Sequence, residues 1–208
     1  MPTNQIIDLS HWKDPVDFAR VQQAGAVAII SKATNGATGV DATYAKFRQA
    51  ARPLNFLWGS YHFGTGDDVH AQFDNYTRTA APGAGELVCL DFEPNPQGSS
   101  MSLSQARDFV GLCRQVLGRY PVLYAGHALK EALNGQVDPV LARCPLWLAQ
   151  YGPAPVLPPG WDHCVLWQFT DGNAGPPPHQ CDGVGTCDRS QFAGSVDDLR
   201  AQWPFAQD

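Results

Sequence analysis

Short apolar runs alternate with amphipathic segments along much of this chain, and that order limits the folds open to it. The runs IIDLS (6–10), AVAIISK (26–32), FLWGSYHF (56–63), ELVCLDFE (86–93) and PVLYAG (121–126) have the length and the β-branched content of buried strands. Segments with helical periodicity separate them. A repeated strand–helix order predicts a parallel sheet with right-handed crossovers.

The helical segments and the last strands refine this prediction. Helices are expected over 14–24, 41–52, 67–80, 102–118 and near 127–134. The pattern at 102–118 is the strongest, because Ser102 or Ser104 can cap its start and Gly118 stands at its end. Strand patterns follow at 145–151, at 164–170 and around Asp188, and strong helices disappear beyond Pro153. A β/α barrel with a β-rich closure therefore fits better than an open doubly wound sheet.

Composition indicates a globular protein that does not bind nucleic acid or an anionic surface through its charge. Hydrophobic residues make up 44% of the chain and charged residues 16%, which excludes a disordered chain. The net charge of -6 and the absence of a Lys/Arg run argue against nucleic-acid binding. No apolar stretch approaches the roughly 20 residues that span a membrane, and Met1–Gln5 lacks the regions of a signal peptide. We expect one catalytic domain over 1–208, acting as a monomer.

The six cysteines carry little information. Cys181 and Cys187 flank the Gly-rich loop CDGVGTC and can close a small disulfide, whereas the pairing of the other four is not readable. There is no CxxC and no Cys/His cluster at zinc-binding spacing. The glycine-rich signatures of dinucleotide and P-loop sites are also missing. No metal and no cofactor are therefore predicted.

Two acids close the fourth predicted strand. Asp91 and Glu93 are two residues apart, so on a strand they share one face, with Cβ atoms roughly 6–7 Å apart. Carboxyl groups at that distance perturb each other, and one can stay protonated at neutral pH. Glycoside hydrolysis requires such a pair, one acid to protonate the leaving oxygen and one carboxylate to stabilise or trap the cation.

Acids, amides and aromatic rings also stand at the predicted C-terminal ends of other strands. These residues are Asp8, Tyr61, Tyr124, Trp147, Gln150, Tyr151, Trp167, Gln168 and Asp188. Functional groups of β/α barrels gather at this face. The pattern predicts hydrogen-bonding and stacking groups around the carboxylate pair, as a sugar cleft requires.

Several neighbouring residues have structural alternatives. Trp147 and Trp167 can pack in the core instead of contacting a ligand. Lys32 can be a cation beside the carboxylates or a solvated strand end. His11 and His62 are interpreted as hydrogen-bonded structural groups rather than catalysts.

Seven motifs then point to one family. In order they are DLSHW (8–12), SKATNG (31–36), GSYHFG (59–64), LDFEPN (90–95), VLYAG (122–126), LWLAQY (146–151) and LWQFTDG (166–172). Together they resemble glycoside hydrolase family 25, the Chalaropsis-type lysozymes found among phage endolysins and bacterial autolysins. The resemblance covers about residues 5–195.

The resemblance implies a (β/α)5(β)3 barrel and N-acetylmuramidase activity on bacterial peptidoglycan, with action at the cell wall. It implies that Glu93 is the general acid/base. Asp91 would be the nucleophile or the group that orients the 2-acetamido group of the substrate. Asp8 and Asp188 are expected to line the cleft. The resemblance also places near the sugar Tyr61, Tyr124, Trp147 and Gln168.

The chain departs from the family pattern at two places. Asn35 stands where the family often has Glu, which can change the charge near Lys32. The CDGVGTC loop before Asp188 is unusual, and a disulfide there would stiffen the segment that carries this acid.

Two other functions compete with this hypothesis. A non-catalytic glycan-binding barrel would not need to keep Asp8, Asp91, Glu93 and Asp188 together. A metal-dependent glycan deacetylase would use histidines, but His11 and His62 show no recognisable ligand spacing.

Overall fold

A closed barrel of strands organises the computed structural model, which describes residues 3–206. The strands are β1 (Thr3–Leu9), β2 (Ala28–Asn35), β3 (Gly39–Val40), β4 (Leu57–Phe63), β5 (Leu87–Phe92), β6 (Val122–Ala125), β7 (Leu146–Ala149), β8 (Leu166–Thr170), β9 (Gln180–Cys181), β10 (Gly185–Thr186) and β11 (Asp188–Phe192). The barrel runs β1-β2-β4-β5-β6-β7-β8-β11, and β11 returns to β1. Its pairs are parallel except the two that β11 makes, with β8 and with β1.

Helices connect the strands in the first part of the chain. They are α1 (Phe18–Gln23), α2 (Tyr44–Ala51), α3 (Val69–Ala80), α4 (Leu103–Leu112), α5 (His127–Leu133) and α6 (Val196–Gln202). Strands β1, β2, β4, β5 and β6 are each followed by a helix, and β7, β8 and β11 complete the barrel. The predicted (β/α)5(β)3 barrel is thus confirmed.

Strand residues alternate between the inside of the barrel and the layer beneath the helices. Ile6 and Cys89 belong to the inner core, whereas Ile7 and Leu90 pack in the outer core. Every residue of β5 is buried, as expected for a parallel strand that is covered on both faces. Asp91 lies two residues after Cys89 on β5, so its side chain points to the same side, the barrel interior.

The predicted element bounds need three corrections. Helix α1 begins at Phe18 and not near residue 14, because the Asp17 side chain caps it by accepting from the Arg20 N–H. Helix α6 was not predicted, although Ser195 and Asp198 form a capping box at its start. The short strands β3, β9 and β10 were also missed, since two residues are too few for a periodic signal.

The helix predicted over 102–118 begins and ends at two of the capping residues expected from sequence, Ser102 and Gly118. Ser102 accepts a hydrogen bond from the Gln105 N–H, and the Gln105 side chain accepts one from the Ser102 N–H. After Leu112 the helix widens into one π turn, Cys113–Leu117, which ends at Gly118 with φ of 72°. Glycine adopts this left-handed conformation without steric cost.

The disulfide that the CDGVGTC loop allowed does not form. All six cysteines are free thiols. Cys181 lies on β9 opposite Gly185 of β10, so Cys187 follows the partner of Cys181 by two residues. Hydrogen bonds of the hairpin, and not a covalent link, therefore hold the segment before Asp188.

Within residues 3–206, no helix has the length and apolar character needed to cross a bilayer. Met1 and Pro2, part of the segment examined for a signal peptide, lie outside the described residues.

Replacing Ser102 by alanine should lower the free energy of unfolding by about 1 kcal/mol, because the Gln105 N–H loses its acceptor and the capping box is broken. Urea unfolding followed by circular dichroism measures the change. Ser104→Ala is the matched control, since exposed Ser104 makes no such cap. Equal loss in both variants would contradict the capping assignment.

Candidate active site

The barrel brings the predicted site residues to one end. Asp8, Asp91 and Gln168 lie in the C-terminal halves of β1, β5 and β8, and Glu93 follows β5 directly. Asp188 begins β11, which runs antiparallel, so its first residue lies at the same end of the barrel. The register places Asp188 opposite Asp8.

All eight predicted site residues line one cavity of about 190 Å³. Its lining is Asp8, Tyr61, Asp91, Glu93, Tyr124, Trp147, Tyr151, Gln168 and Asp188. Strand parity explains the convergence, since each of these strand residues faces inward where the strands end.

Gln168 organises the floor of this cavity. Its Oε1 accepts hydrogen bonds from the hydroxyls of Tyr124, at 2.9 Å, and Tyr151, at 2.8 Å. Its Nε2 donates to Asp8 Oδ2 at 2.9 Å. The amide is buried and saturates its acceptor, which fixes both phenols and one acid in place.

The four acids of the cavity have raised pKa values. Burial raises the pKa of Asp8 well above its ordinary value, and the charge of Asp188 adds to this effect. Burial also raises the pKa of Asp188 from 3.8 to about 6. Nearby Lys13 opposes both shifts but does not cancel them. The cluster therefore holds protons at a pH where exposed carboxyl groups are ionised.

Asp91 and Glu93 form the centre of the cluster. Burial, and next the charge of Glu93, raise the pKa of Asp91 well above its ordinary value. Burial, and next the charge of Asp188, raise the pKa of Glu93. Asp91 is buried and its Oδ1 has no hydrogen-bond partner among residues 3–206, whereas Glu93 is partly exposed. Acids of this kind can exchange a proton with a bound ligand, and Asp91 offers a free acceptor.

Comparison of the sequence with known protein families identifies the family to which this chain belongs. The model of glycosyl hydrolases family 25 matches residues 7–176. This chain belongs to that family.

Two relatives show how far the sequence likeness extends. Lysozyme M1 of Streptomyces globisporus is 28% identical over 213 residues, covering 95% of this chain and 70% of that protein. The N,O-diacetylmuramidase of Chalaropsis sp is 28% identical over 190 residues, covering 83% of this chain and 90% of the relative.

Solved structures agree with the barrel. A muramidase from Trichobolus zukalii superposes with a TM-score of 0.80 at 28% identity, with 97% of each chain covered. The bacterial lysozyme from Streptomyces coelicolor gives a TM-score of 0.78 at 29% identity, with 94% of each chain covered.

The cation beside Asp91 and Glu93 in this family 25 site is Lys32. Its Nζ lies 4.7 Å from the centroid of the Phe63 ring, and its charge lowers the raised pKa values of Asp91 and Glu93. Lys32 is thus a partly buried cation beside the carboxylates and not a solvated strand end. Asn35, the departure from the family pattern, is exposed at the end of β2 and does not line the cavity.

The two histidines are held by the scaffold. His62 is buried, with Nδ1 2.8 Å from Thr34 Oγ1 and Nε2 3.1 Å from Gln72 Oε1. Burial lowers its pKa to about 4, so it is neutral at physiological pH. His11 Nδ1 lies 2.8 Å from Asp41 Oδ2. Neither histidine lines the cavity of the acids.

The tryptophans differ from each other. Trp147 is 1% exposed, donates from Nε1 to Ser190 Oγ at 2.9 Å and meets the Tyr124 ring edge-on. It lines the cavity from within the core. Trp167 is half-buried and donates to the backbone oxygen of Gln150, outside the cavity lining.

Tyr151 also lines the cavity, although it is not among the eight residues assigned to the site from sequence. The sequence places it at the end of the strand predicted over 145–151, but β7 ends at Ala149, so Tyr151 lies two residues beyond the strand. Its hydroxyl donates to Gln168 Oε1 at 2.8 Å.

An Asp188→Asn variant should be more stable than the parent at pH 7, with a smaller difference at pH 4. In the folded state Asp188 keeps its proton to about pH 6, whereas the unfolded chain releases it near its ordinary value of 3.8. The unfolded state binds fewer protons between these values, so the stability of the parent falls as pH rises through them. The variant lacks this loss.

Thermal unfolding between pH 4 and 7 measures the effect. Asp74→Asn, which removes an exposed carboxylate on α3, controls for net charge. A constant difference between Asp188→Asn and the parent across this range would show that Asp188 ionises normally.

Proposed function

We propose that this protein hydrolyses the β-1,4 bond between N-acetylmuramic acid and N-acetylglucosamine in bacterial peptidoglycan. The observation that carries the proposal is the pair of buried Asp91 and partly exposed Glu93 at the mouth of a family 25 barrel. Relatives named lysozyme and N,O-diacetylmuramidase support the same bond. The place of action is the cell wall, where this polymer lies.

Glu93 is the proposed general acid. Burial and the charge of Asp188 raise its pKa, which favours the protonated form that a general acid needs, and its partial exposure lets it reach the glycosidic oxygen. Protonation of that oxygen accompanies cleavage of the bond to the anomeric carbon, which develops oxocarbenium character. The ionised side chain then takes a proton from the water that completes hydrolysis.

We assign Asp91 to the 2-acetamido group of the substrate. Its Oδ1 is buried without a donor among residues 3–206, and an amide N–H from the sugar would satisfy it. A carboxylate there orients and polarises the acetamido group, whose oxygen attacks the anomeric carbon. Isolation of a covalent glycosyl ester on Asp91 would contradict this role and identify Asp91 as the nucleophile.

The remaining lining residues bind the reacting sugar in this proposal. Asp8 and Asp188 place carboxyl groups on the side of the cavity away from β5, where they can bind the sugar by hydrogen bonds. Tyr61, Tyr124 and Gln168 offer hydrogen bonds. Trp147 supports the Tyr124 ring from below. The proposed enzyme is a monomer built on one catalytic domain, and the lining formed by residues 3–206 needs no residue from a second chain to hold the sugar.

The two alternatives have less support. A binding module gains nothing from burying four acids at the cost of their ionisation. A metal-dependent deacetylase needs a ligand set, and residues 3–206 contain no group of three His, Cys, Asp or Glu side chains arranged to hold a metal ion.

Glu93→Gln should lower hydrolysis of purified peptidoglycan by about 10²–10⁴-fold, because glutamine cannot transfer the proton. Mass spectrometry of the products, before and after borohydride reduction, measures both the rate and the bond. The parent should release muropeptides with newly reducible N-acetylmuramic acid ends. Asp108→Asn, on the exposed face of α4, should keep the parent rate.

Other outcomes have definite meanings. Reducing N-acetylglucosamine ends would show that the enzyme cleaves the other bond. Wall binding without any released product from the parent would favour the binding module.

Lys32→Met should move the alkaline limb of the kcat/KM profile to higher pH. The lysine charge lowers the pKa of Glu93, so its removal leaves that acid protonated over a wider range. Initial rates on peptidoglycan between pH 4 and 9 measure the shift. Lys46→Met, which removes a cation paired with Asp14 on the surface, should leave the limb in place. If the alkaline limb of Lys32→Met stays where it is in the parent, the charge of Lys32 does not affect the ionisation of Glu93.

A further inference from the structure

A second cavity opens on the far side of Glu93. Its volume is about 380 Å³, twice that of the acid-lined cavity. Its lining is Glu93, Gly126, His127, Lys130, Ala149, Gln150 and Tyr151. Glu93 and Tyr151 line both cavities, so the two spaces form one cleft with Glu93 at the boundary.

The same end of the barrel builds both parts of the cleft. Gly126 follows β6 and Ala149 ends β7, so the floor of the second cavity is backbone at the C-terminal ends of these strands. Asp91 lines only the first cavity. A glycosidic oxygen within reach of Glu93 therefore has one sugar among the acids and the other over β6 and β7.

The two cavities differ in charge. The first has four acids and no basic residue in its lining, whereas the second has Lys130, His127 and only the shared Glu93. His127 is paired with Glu131 on the exposed surface of α5, at 3.1 Å. Lys130 has no ion pair among the described residues 3–206, and it is only partly exposed.

Hydrogen bonds hold Lys130 in position. Its Nζ donates to Gln150 Oε1 at 2.7 Å. The Gln150 side chain is itself fixed, because its Nε2 donates to the Ala154 backbone oxygen at 3.1 Å and its Oε1 also accepts from the Val156 N–H at 3.3 Å. An ammonium group has three donor hydrogens. Two of them are left for a ligand in the cavity.

We propose that the second cavity binds the leaving-group side of the glycan and that Lys130 selects for a carboxylate carried there. This inference rests on the proposed function, which supplies the direction of the glycan across Glu93. In peptidoglycan, the stem peptides attached to the lactyl groups carry free carboxylates, which recur along the strand and extend beyond the leaving sugar. A partly desolvated lysine without a protein counter-ion attracts such a group more strongly than an exposed one does. Partial burial, which lowers the pKa of Lys130, agrees with that environment.

The test compares two forms of one substrate. Glycan strands with intact stem peptides are used directly or after carbodiimide amidation of their carboxylates. For native strands, Lys130→Met should raise KM roughly tenfold with little change in kcat, and Lys130→Arg should restore most of the loss. For amidated strands, the parent and Lys130→Met should have the same KM. Lys46→Met, outside both cavities, should behave as the parent on both substrates.

The affinity of inactive variants for a glycan fragment distinguishes a failure of the Lys130 assignment from a failure of the proposed function. A purified disaccharide-peptide tetramer is titrated calorimetrically into Glu93→Gln and into Glu93→Gln/Lys130→Met. Affinity should be about tenfold weaker in the double variant, whether or not the parent cleaves the wall. An equal affinity, or an equal loss on native and amidated strands, would overturn the role of Lys130. A parent without hydrolytic activity would instead overturn the proposed function alone.

Discussion

Two hydrogen-bonded ladders meet on β1, one parallel to β2 and one antiparallel to β11, and they close the barrel. The register of the second ladder places Asp8 beside Asp188, although 180 positions separate them in the chain. Without this closure the late acid would lie on a free edge, away from Asp91 and Glu93. Because side chains alternate between the two faces of each strand, all four acids point into the barrel and toward the same opening.

Burial of these acids has a cost that the scaffold must offset. Each one loses solvation, and their mutual repulsion raises the pKa values further. Gln168 holds Asp8, and Lys32 and Lys13 supply opposing charge. The remaining imbalance is useful, because a site that keeps one proton among several carboxyl groups can give it to a leaving oxygen and then take one back.

Position, more than acidity, distinguishes the two central acids. Both have raised pKa values, but Glu93 borders two cavities and Asp91 borders one. A proton donor must stand between the sugar that becomes a cation and the sugar that leaves. Among the described residues 3–206, the first cavity is acidic and the second has a lysine without an ion pair, so the cleft has a direction. In the proposed function, catalysis and substrate selection use opposite charges on either side of one carboxyl group.

The sequence by itself determined the barrel and the identity of most lining residues, because strand length, strand–helix order and the placement of acids at strand ends are local patterns. It did not reveal α6 or the short strands, and it did not reveal that the Tyr151 hydroxyl contacts Gln168. Asp91 and Glu93 were recognisable from their spacing. The unpartnered oxygen of Asp91, the position of Lys32 and the second cavity were decided by the tertiary structure, because burial and electrostatic interaction depend on distances between strands that are far apart in sequence.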